Sequence, residues 1–279
     1  MASDQISSEK VMTTDSSPSA FGERWAQDYD DFYVESLEDT TQTVNVLASL
    51  AGIGPVAELG AGTGRVAIPL AQRGLKVRAC DASAAMLRQL REKPGSDLVD
   101  TSVEAMPDLT GGPYSLVAIL VNTLWALPEL ASQRQLFLNV SRALAPGGHF
   151  VVESGIPTAR TYEPLRLITA GEGHLYLHER RFLPGAGILE IDEHIGLPSG
   201  ISIRPLRLRP VTMGEMDLMG EIAGLELAHR WSSWSRSPLL DDSTRVISVY
   251  RRPHNNHGND IAIDLTDGRS AQQAVAPPS

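Results

Sequence analysis

The stretch from Pro55 to Asp81 constrains the fold more than any other part of the chain. A short strand-like run, residues 56–59, leads into three glycines at alternate positions, 60, 62 and 64. An amphipathic segment and a second apolar run follow, and the second run ends in Asp81. This order predicts a strand, a glycine turn, a helix and a second strand closed by an acid. Backbone N–H groups and a helix N-terminus then lie beside a carboxylate, which suits a nucleoside-bearing ligand.

Composition narrows the class of protein and its partners. The chain has 279 residues, 42% hydrophobic and 21% charged, which is ordinary for a soluble globular protein with a proper core. Its net charge of -10, with no Lys/Arg cluster, argues against a nucleic-acid partner. We see neither a leader nor a run long enough to cross a bilayer, and the single Cys80 cannot form an internal disulfide. We therefore expect a soluble cytoplasmic protein without a membrane partner.

The order of predicted elements defines an α/β fold. From residue 55 to 152 strands alternate with helices, which predicts a parallel, doubly wound sheet. Three strand-like runs at 175–182, 188–195 and 203–208 have no helix between them, which indicates a small antiparallel β insertion. The predicted organisation is a disordered N-terminus at 1–20, a domain at 21–252 with N-terminal lid helices at 21–51 and the insertion at 157–210, and a disordered C-terminal tail at 253–279.

The glycine spacing distinguishes two kinds of nucleotide site. A dinucleotide fingerprint needs its third glycine at the sixth position of the motif, where this chain has Arg65. The third glycine falls at Gly64 instead, and no Lys-Ser/Thr pair of a phosphate loop is present. Glu58, two residues before the first glycine, would repel phosphate but could accept a hydrogen bond from an amine. A pyrophosphate-binding turn is therefore the weaker interpretation.

Four segments together resemble class I S-adenosylmethionine-dependent methyltransferases, and the resemblance extends over roughly 21–252. E-L-G-A-G-T-G-R (58–65) and C-D-A-S-A-A-M-L (80–87) resemble the first two motifs of that family. L-A-P-G-G-H-F-V-V-E (144–153) and S-V-Y-R-R (248–252) are similar to its later strands. The resemblance implies a Rossmann-like, seven-stranded sheet with an antiparallel last strand and S-adenosyl-L-methionine as cofactor. It also implies methyl transfer to an O or N atom of a small molecule, a natural-product intermediate of secondary metabolism.

The resemblance further assigns roles residue by residue. The glycines would allow close approach to the methionine part of the cofactor, Glu58 would orient its amino group, and Asp81 would accept from both ribose hydroxyls. Ser102 would lie at the adenine edge, where Glu104 could replace it as acceptor, and Asn122 would face the sulfonium. The predicted cofactor-binding set is Tyr29, Glu58, Gly60, Ala61, Gly62, Gly64, Arg65, Asp81, Ala82, Met86, Ser102, Val103, Glu104 and Asn122.

Candidate groups for the chemistry itself lie on the insertion and the lid. Histidine is the natural base near neutral pH. His174, Tyr176 and His178 alternate, so they project from one face of a strand; a polar solvent face or a subunit contact is the alternative. Together with Tyr33 of the lid, His174 and His178 form the predicted catalytic set. An amine acceptor would react with little help from a base, and we predict no metal, because these histidines are too far apart on a strand for shared ligation.

Two other functions stay open from the sequence alone. A nicotinamide-dependent oxidoreductase is disfavoured by Arg65 and by the lack of Tyr/Lys or zinc chemistry. A non-catalytic cofactor-binding protein is the second alternative. Whatever the function, the insertion is also a candidate homodimer surface.

Overall fold

A computed structural model describes residue 15 and residues 17–31, 40–157, 162–171, 174–197 and 200–254. Eleven strands and six α-helices lie in these ranges. The strands are β1 Val56–Leu59, β2 Val77–Asp81, β3 Val99–Val103, β4 Tyr114–Ile119, β5 Leu144–Gly155, β6 Tyr162–Gly171, β7 His174–Leu183, β8 Ile188–Leu197, β9 Gly200–Leu208, β10 Glu226–Trp231 and β11 Arg245–Arg251. The helices are α1 Pro18–Trp25, α2 Thr40–Ala51, α3 Ala67–Gln72, α4 Ala84–Arg91, α5 Leu130–Ala143 and α6 Met213–Ile222.

The larger sheet has seven strands in the order β10-β11-β5-β4-β1-β2-β3. Strand β1 pairs in parallel with both β2 and β4, while β11 runs antiparallel to β5. Every residue of β1 is buried, as expected for a central strand covered by helices on both faces. One apolar cluster packs α5 and α6 on one face, and a second packs α2, α3 and α4 on the other. The predicted doubly wound sheet with an antiparallel last strand is confirmed.

The antiparallel insertion is a separate four-stranded sheet in the order β6-β7-β8-β9. The three strands predicted from the sequence correspond to β7, β8 and β9, but β6 was missed. It is an edge strand that pairs only with β7, it contains Pro164, and its register shifts twice along that pairing. These features remove the regular alternation by which sequence reasoning recognises a strand.

The N-terminal segment differs from its prediction. Helix α1 begins at Pro18, inside the stretch 1–20 predicted to be disordered, because a proline at the first helical position follows a capping residue. Ser17 Oγ accepts a hydrogen bond from Ala20 N at 3.3 Å. Residues 32–39 of the predicted lid, including Tyr33, and residues 255–279 of the predicted tail lie outside the described residues.

Every helix within the described ranges is too short or too polar to cross a bilayer.

Candidate functional site

A cavity of about 730 Å³ opens where the carboxyl ends of β1, β2 and β4 face the insertion sheet. This is the point at which the strand order reverses on either side of β1, the usual ligand position in open α/β sheets. The residues of the predicted sets that line this cavity are Tyr29, Gly60, Gly62, Asp81, Ala82, Met86, Glu104, Asn122 and His178. The sequence therefore identified residues from six separate parts of the chain that meet in one place.

The glycine turn forms the floor of this cavity. Gly60 has φ +70° and Gly62 φ +55°, in the left-handed region that favours glycine. A Cβ on Gly60 would lie only 2.3 Å from Thr123 Cγ2, so this position has no room for a side chain. Gly64 is the third glycine of the turn. Gly64 does not line the cavity. A Cβ at this position would lie 2.6 Å from Leu90 Cγ, so the lack of a side chain allows Leu90 to pack closely behind the turn.

The Gly60 packing contact leads to a prediction with a matched control. Gly60 and Gly224 share φ +70°, but a Cβ on Gly224 meets nothing within 4 Å. We expect Gly60→Ala to destabilise the protein by about 1–3 kcal/mol more than Gly224→Ala does, since only Gly60 adds a clash to the backbone strain. Urea denaturation of both variants measures this difference, and equal losses of stability would contradict a close-packed turn.

Asp81 ends β2 with its carboxylate held in place by the backbone. It accepts hydrogen bonds from Gly62 N at 2.9 Å and from Ser83 N at 2.8 Å. Burial raises the pKa of this carboxyl group, while the two backbone donors act in the opposite direction. Capping of α4 falls to Ser83 itself, whose Oγ accepts from Met86 N at 3.2 Å. Asp81 is thus a fixed acceptor at the cavity wall, available to hydroxyl donors of a ligand.

Glu58 is fully enclosed beneath the turn, with only 4% of its surface exposed. Burial raises the pKa of its carboxyl group to about 8, against the nearby charge of Arg65 and a hydrogen bond from the Ala67 backbone, which both lower it. Its Oε2 atom has no hydrogen-bond partner among the described residues. A buried acceptor without a partner costs free energy, so this atom is suited to a donor brought by a ligand.

Ser102, Val103 and Glu104, predicted for the adenine edge, differ in whether they line the cavity. Val103 is 57% exposed at the end of the edge strand β3, and neither it nor Ser102 lines the cavity. Ser102 donates instead to Glu104 Oε1 at 2.6 Å, and Glu104 is the residue of this group that reaches the cavity. Burial acts to raise the pKa of Glu104, but hydrogen bonds from Ser102, Arg78 and Thr110 outweigh it and lower the pKa to about 2. The ionised acceptor at this edge is therefore Glu104.

Arg65 and Ala61 also lie off the wall of this cavity. Arg65 Nη1 donates to Thr40 Oγ1 at 3.1 Å, and the side chain borders a second cavity of about 570 Å³. The second cavity shares Val121 and Asn122 with the first. Arg65 is nevertheless close enough to influence the pKa of Glu58.

The segment after β4 carries unusual backbone geometry at the centre of the site. Val121 has φ +50° and Asn122 φ +59°, a region that β-branched residues in particular avoid. Hydrogen bonds to β5 hold this strained segment: Val121 N donates to Glu153 Oε2 at 3.2 Å, Asn122 N donates to the Glu153 carbonyl at 3.3 Å, and Asn122 Oδ1 accepts from Gly155 N. Such outliers cluster at ligand sites, and this one lies between the two cavities.

The insertion closes the cavity from the opposite side. Tyr176, His178 and Glu193 line the cavity and are buried, so the solvent-face alternative for Tyr176 and His178 is wrong. Burial lowers the pKa of His178 to about 4, and Arg180 and Arg166 act in the same direction. His174 lies on β7, but the position of its side chain is outside what the structure describes.

Sequence reasoning missed Glu193 altogether. It is 2% exposed and accepts hydrogen bonds from Trp25 Nε1 at 2.8 Å and from Tyr176 Oη at 2.7 Å. The available signal was the alternation Ile191, Glu193, Ile195 along β8, which puts a carboxylate between two apolar side chains of one face. Within the described residues no group of three or more His, Cys, Asp or Glu side chains is arranged to hold a metal.

The fold and this site define a Rossmann-like methyltransferase, and comparisons with known proteins identify the family. A family model described as a methyltransferase domain matches residues 56–148. The solved structure of the CcbJ methyltransferase from Streptomyces caelestis is 31% identical, with a TM-score of 0.79 over 86% of this chain and 99% of that one. The chain belongs to the class I S-adenosylmethionine-dependent methyltransferases.

One further relative supports the same class, and another solved structure shares the fold. The cypemycin N-terminal methyltransferase of a Streptomyces species is 28% identical over 207 residues, 71% of this chain and 82% of that protein. CalS10 from Micromonospora echinaspora shares the fold at 20% identity, with a TM-score of 0.62 over 80% of this chain and 96% of that one. The protein is therefore an S-adenosylmethionine-dependent methyltransferase, and not the oxidoreductase or the non-catalytic binding protein left open above.

The residues of the site fit S-adenosyl-L-methionine, which is the cofactor of this family. Asp81 lines the cavity, and its fixed carboxylate would accept from ribose hydroxyls. Glu58 lines neither cavity, but its unpartnered Oε2 beneath the glycine turn would accept from an amino group. The positive-φ glycines allow the backbone approach that a close ligand needs.

Proposed function

We propose that this enzyme methylates an amine nitrogen of a small natural-product intermediate. The observation that carries the proposal is the lowered pKa of His178, which lines the acceptor side of the cavity. Because burial lowers its pKa to about 4, the ring is neutral at pH 7 but a poor acceptor of a proton. A hydroxyl acceptor must lose its proton as it reacts, whereas a neutral amine attacks with its lone pair and needs no base.

In this proposal the chain's own residues hold, align and desolvate the reactants. Bound S-adenosyl-L-methionine supplies an electrophilic methyl group on a sulfonium. Asp81 and Glu58 would hold the ribose and amino groups, and the strained turn at Asn122 would fix the wall between cofactor and acceptor. The buried face of the insertion would exclude water, and His178 would orient an acceptor N–H by accepting its hydrogen bond. Roles for His174 and Tyr33 remain predictions from the sequence.

The names of two relatives independently favour an amine acceptor. The cypemycin enzyme is named as an N-terminal methyltransferase, and CalS10 is described as an amino pentose methyltransferase. The first is a relative at 28% identity, and the second shows that this fold accommodates such an acceptor.

The test is the position of the transferred methyl group on acceptors that carry both kinds of atom. Amino sugars and short peptides containing serine offer an amine and hydroxyls in one molecule, so they compete under identical conditions. We expect tandem mass spectrometry to locate the methyl on nitrogen. Exclusive O-methylation would contradict the proposal.

His178→Gln provides the second arm of that test. Glutamine keeps a hydrogen-bond acceptor near the ring position but cannot take up a proton. We expect kcat to fall less than about tenfold, because loss of a general base costs about 10²–10⁴-fold. A fall in that larger range would identify His178 as a base and favour a hydroxyl acceptor.

The homodimer and the cytoplasmic location also stay predictions. The insertion exposes apolar side chains on its outer strands, including Leu165, Leu167 and Ile201, which a second copy of the chain would cover. Light scattering of the purified protein measures the oligomeric state.

A further inference from the structure

Arg78 is the centre of a polar network between β2, β3 and the segment that follows β3. Its Nη1 atom lies 2.8 Å from Asp100 Oδ2. Its Nη2 atom lies 3.0 Å from both Ser102 Oγ and Thr110 Oγ1, and it also donates to Glu104 Oε1. The Arg78 side chain is 26% exposed, so these contacts form at a partly buried position. One guanidinium thus holds four side chains in a fixed arrangement.

This network anchors one oxygen of the Glu104 carboxylate. Oε1 accepts from Ser102 Oγ at 2.6 Å, from Thr110 Oγ1 at 2.7 Å and from Arg78. Oε2 accepts longer bonds, from Thr110 N at 3.2 Å and from Cys80 Sγ at 3.8 Å. The carboxyl group is ionised at neutral pH because its pKa is about 2. Since the Oε2 contacts are the longer and weaker ones, Oε2 is the oxygen that a donor from a ligand can approach.

Glu104 stands beside the carboxylate that suits a ribose. Its backbone N donates to the Asp81 carbonyl at 3.0 Å, and both residues line the cavity. The apolar side chains of Ala82, Met86 and Met106 line the cavity with them. This combination suits a nucleoside, with ribose hydroxyls for one carboxylate and an amino group on a flat base for the other.

We propose that Arg78 is a positioning residue, which holds the Glu104 carboxylate where it recognises the amino group of the cofactor's adenine. Arg78 does not line the cavity, so it acts through Glu104 and not on the cofactor directly. The guanidinium fixes the direction of the carboxylate, and its charge offsets the cost of partly burying an anion. The inference concerns the cofactor alone, so it holds whichever atom accepts the methyl group.

The experiment compares two ligands that differ by one amino group. S-adenosylhomocysteine carries the adenine amine, and its 6-deamino analogue has hydrogen at that position. Isothermal titration measures both dissociation constants with the full-length protein, in wild type, Arg78→Met and Arg78→Lys. The ratio of the two constants is the readout, because a general loss of stability or of cavity shape weakens both ligands together and leaves the ratio unchanged.

We expect wild type to bind S-adenosylhomocysteine at least about tenfold more tightly than the analogue, since the amine donates to a charged acceptor. Methionine keeps an apolar stem but lacks the guanidinium, so Arg78→Met should lower the ratio below about threefold. Lysine keeps a charge but not the planar fork that reaches several oxygens. Arg78→Lys should therefore give a ratio between those of wild type and Arg78→Met.

Two further variants serve as controls. Arg91 is an exposed arginine that donates to Thr101 Oγ1, from Nε at 3.0 Å and from Nη2 at 2.8 Å. Thr101 precedes Ser102 on β3, so Arg91→Met removes the same charge beside the same strand and should keep the wild-type ratio. Glu104→Gln removes the charge of the acceptor itself and should lower the ratio as Arg78→Met does.

Three results would overturn the role of Arg78. They are equal affinity of wild type for the two ligands, a wild-type ratio in Arg78→Met (or in Arg78→Lys, where the first variant does not fold), and an equal loss of the ratio in Arg91→Met. A wild-type ratio in the Arg78 variants with a lowered ratio in Glu104→Gln would leave Glu104 as the adenine acceptor and remove only its dependence on Arg78. The position of the transferred methyl group, which tests the proposed function, is independent of these ratios.

Discussion

Asp81→Asn is expected to weaken binding of S-adenosylhomocysteine by about 100-fold. A hydrogen bond to a charged acceptor contributes roughly 1 kcal/mol more than one to a neutral acceptor, and the ribose offers two hydroxyl donors. The asparagine amide would also face one of the backbone donors that now fix the carboxylate, Gly62 N or Ser83 N. Both effects act against the ligand, and isothermal titration measures their sum.

The control for this prediction is Asp97→Asn. Asp97 is an exposed acid just before β3, so its loss changes the net charge equally without touching the cavity. Its dissociation constant should match that of wild type. Wild-type affinity in Asp81→Asn would show that the ribose hydroxyls do not bind this carboxylate.

Glu58→Gln is expected to change how the stability of the cofactor-free protein depends on pH. The carboxyl group has a pKa of about 8 in the folded protein against an ordinary value of 4.5, so the unfolded chain releases its proton first as pH rises. Wild-type stability therefore falls between pH 4.5 and pH 8 through this group. Glutamine cannot ionise, so the variant should gain roughly 2.5 kcal/mol relative to wild type between pH 5 and pH 7.

Urea denaturation of both proteins at the two pH values measures this change. All other titrating groups are common to both, so the difference between the two stability curves isolates Glu58. Saturating S-adenosylhomocysteine should reduce the difference, because its amino group gives the carboxylate a partner. Parallel pH dependence of the two cofactor-free proteins would contradict an uncharged, buried Glu58.

The cofactor-binding residues could be predicted from the sequence because most of them lie close together along the chain. The glycine turn and Asp81 belong to one continuous strand–turn–helix–strand segment, and their spacing alone determines what they can face. The family, the α/β sheet and the cofactor, predicted from that segment together with the later strands and motifs, are confirmed. The individual residue roles stay predictions, although nine of the residues named for them line one cavity.

The acceptor half depends on contacts between distant parts of the chain. Glu193 accepts a hydrogen bond from Trp25, 168 positions away in sequence. The local alternation along β8 shows only that this glutamate shares a face with apolar residues, not that the face lines a cavity. The choice between Ser102 and Glu104 also needed the structure, because a network around Arg78 orients Glu104 and occupies Ser102. A strand pattern shows which side chains share a face, but only tertiary packing decides whether that face meets solvent or a cavity, as for His178.

A crystal structure of the protein with S-adenosylhomocysteine tests most directly whether this cavity is where cofactor and acceptor meet. We predict both ribose hydroxyls within hydrogen-bond distance of Asp81, the amino group directed at Glu58, and the sulfur facing the space bounded by His178 and Glu193. Density for the ligand in the second cavity, beside Arg65 and Arg245, with the glycine turn left vacant, would contradict this account.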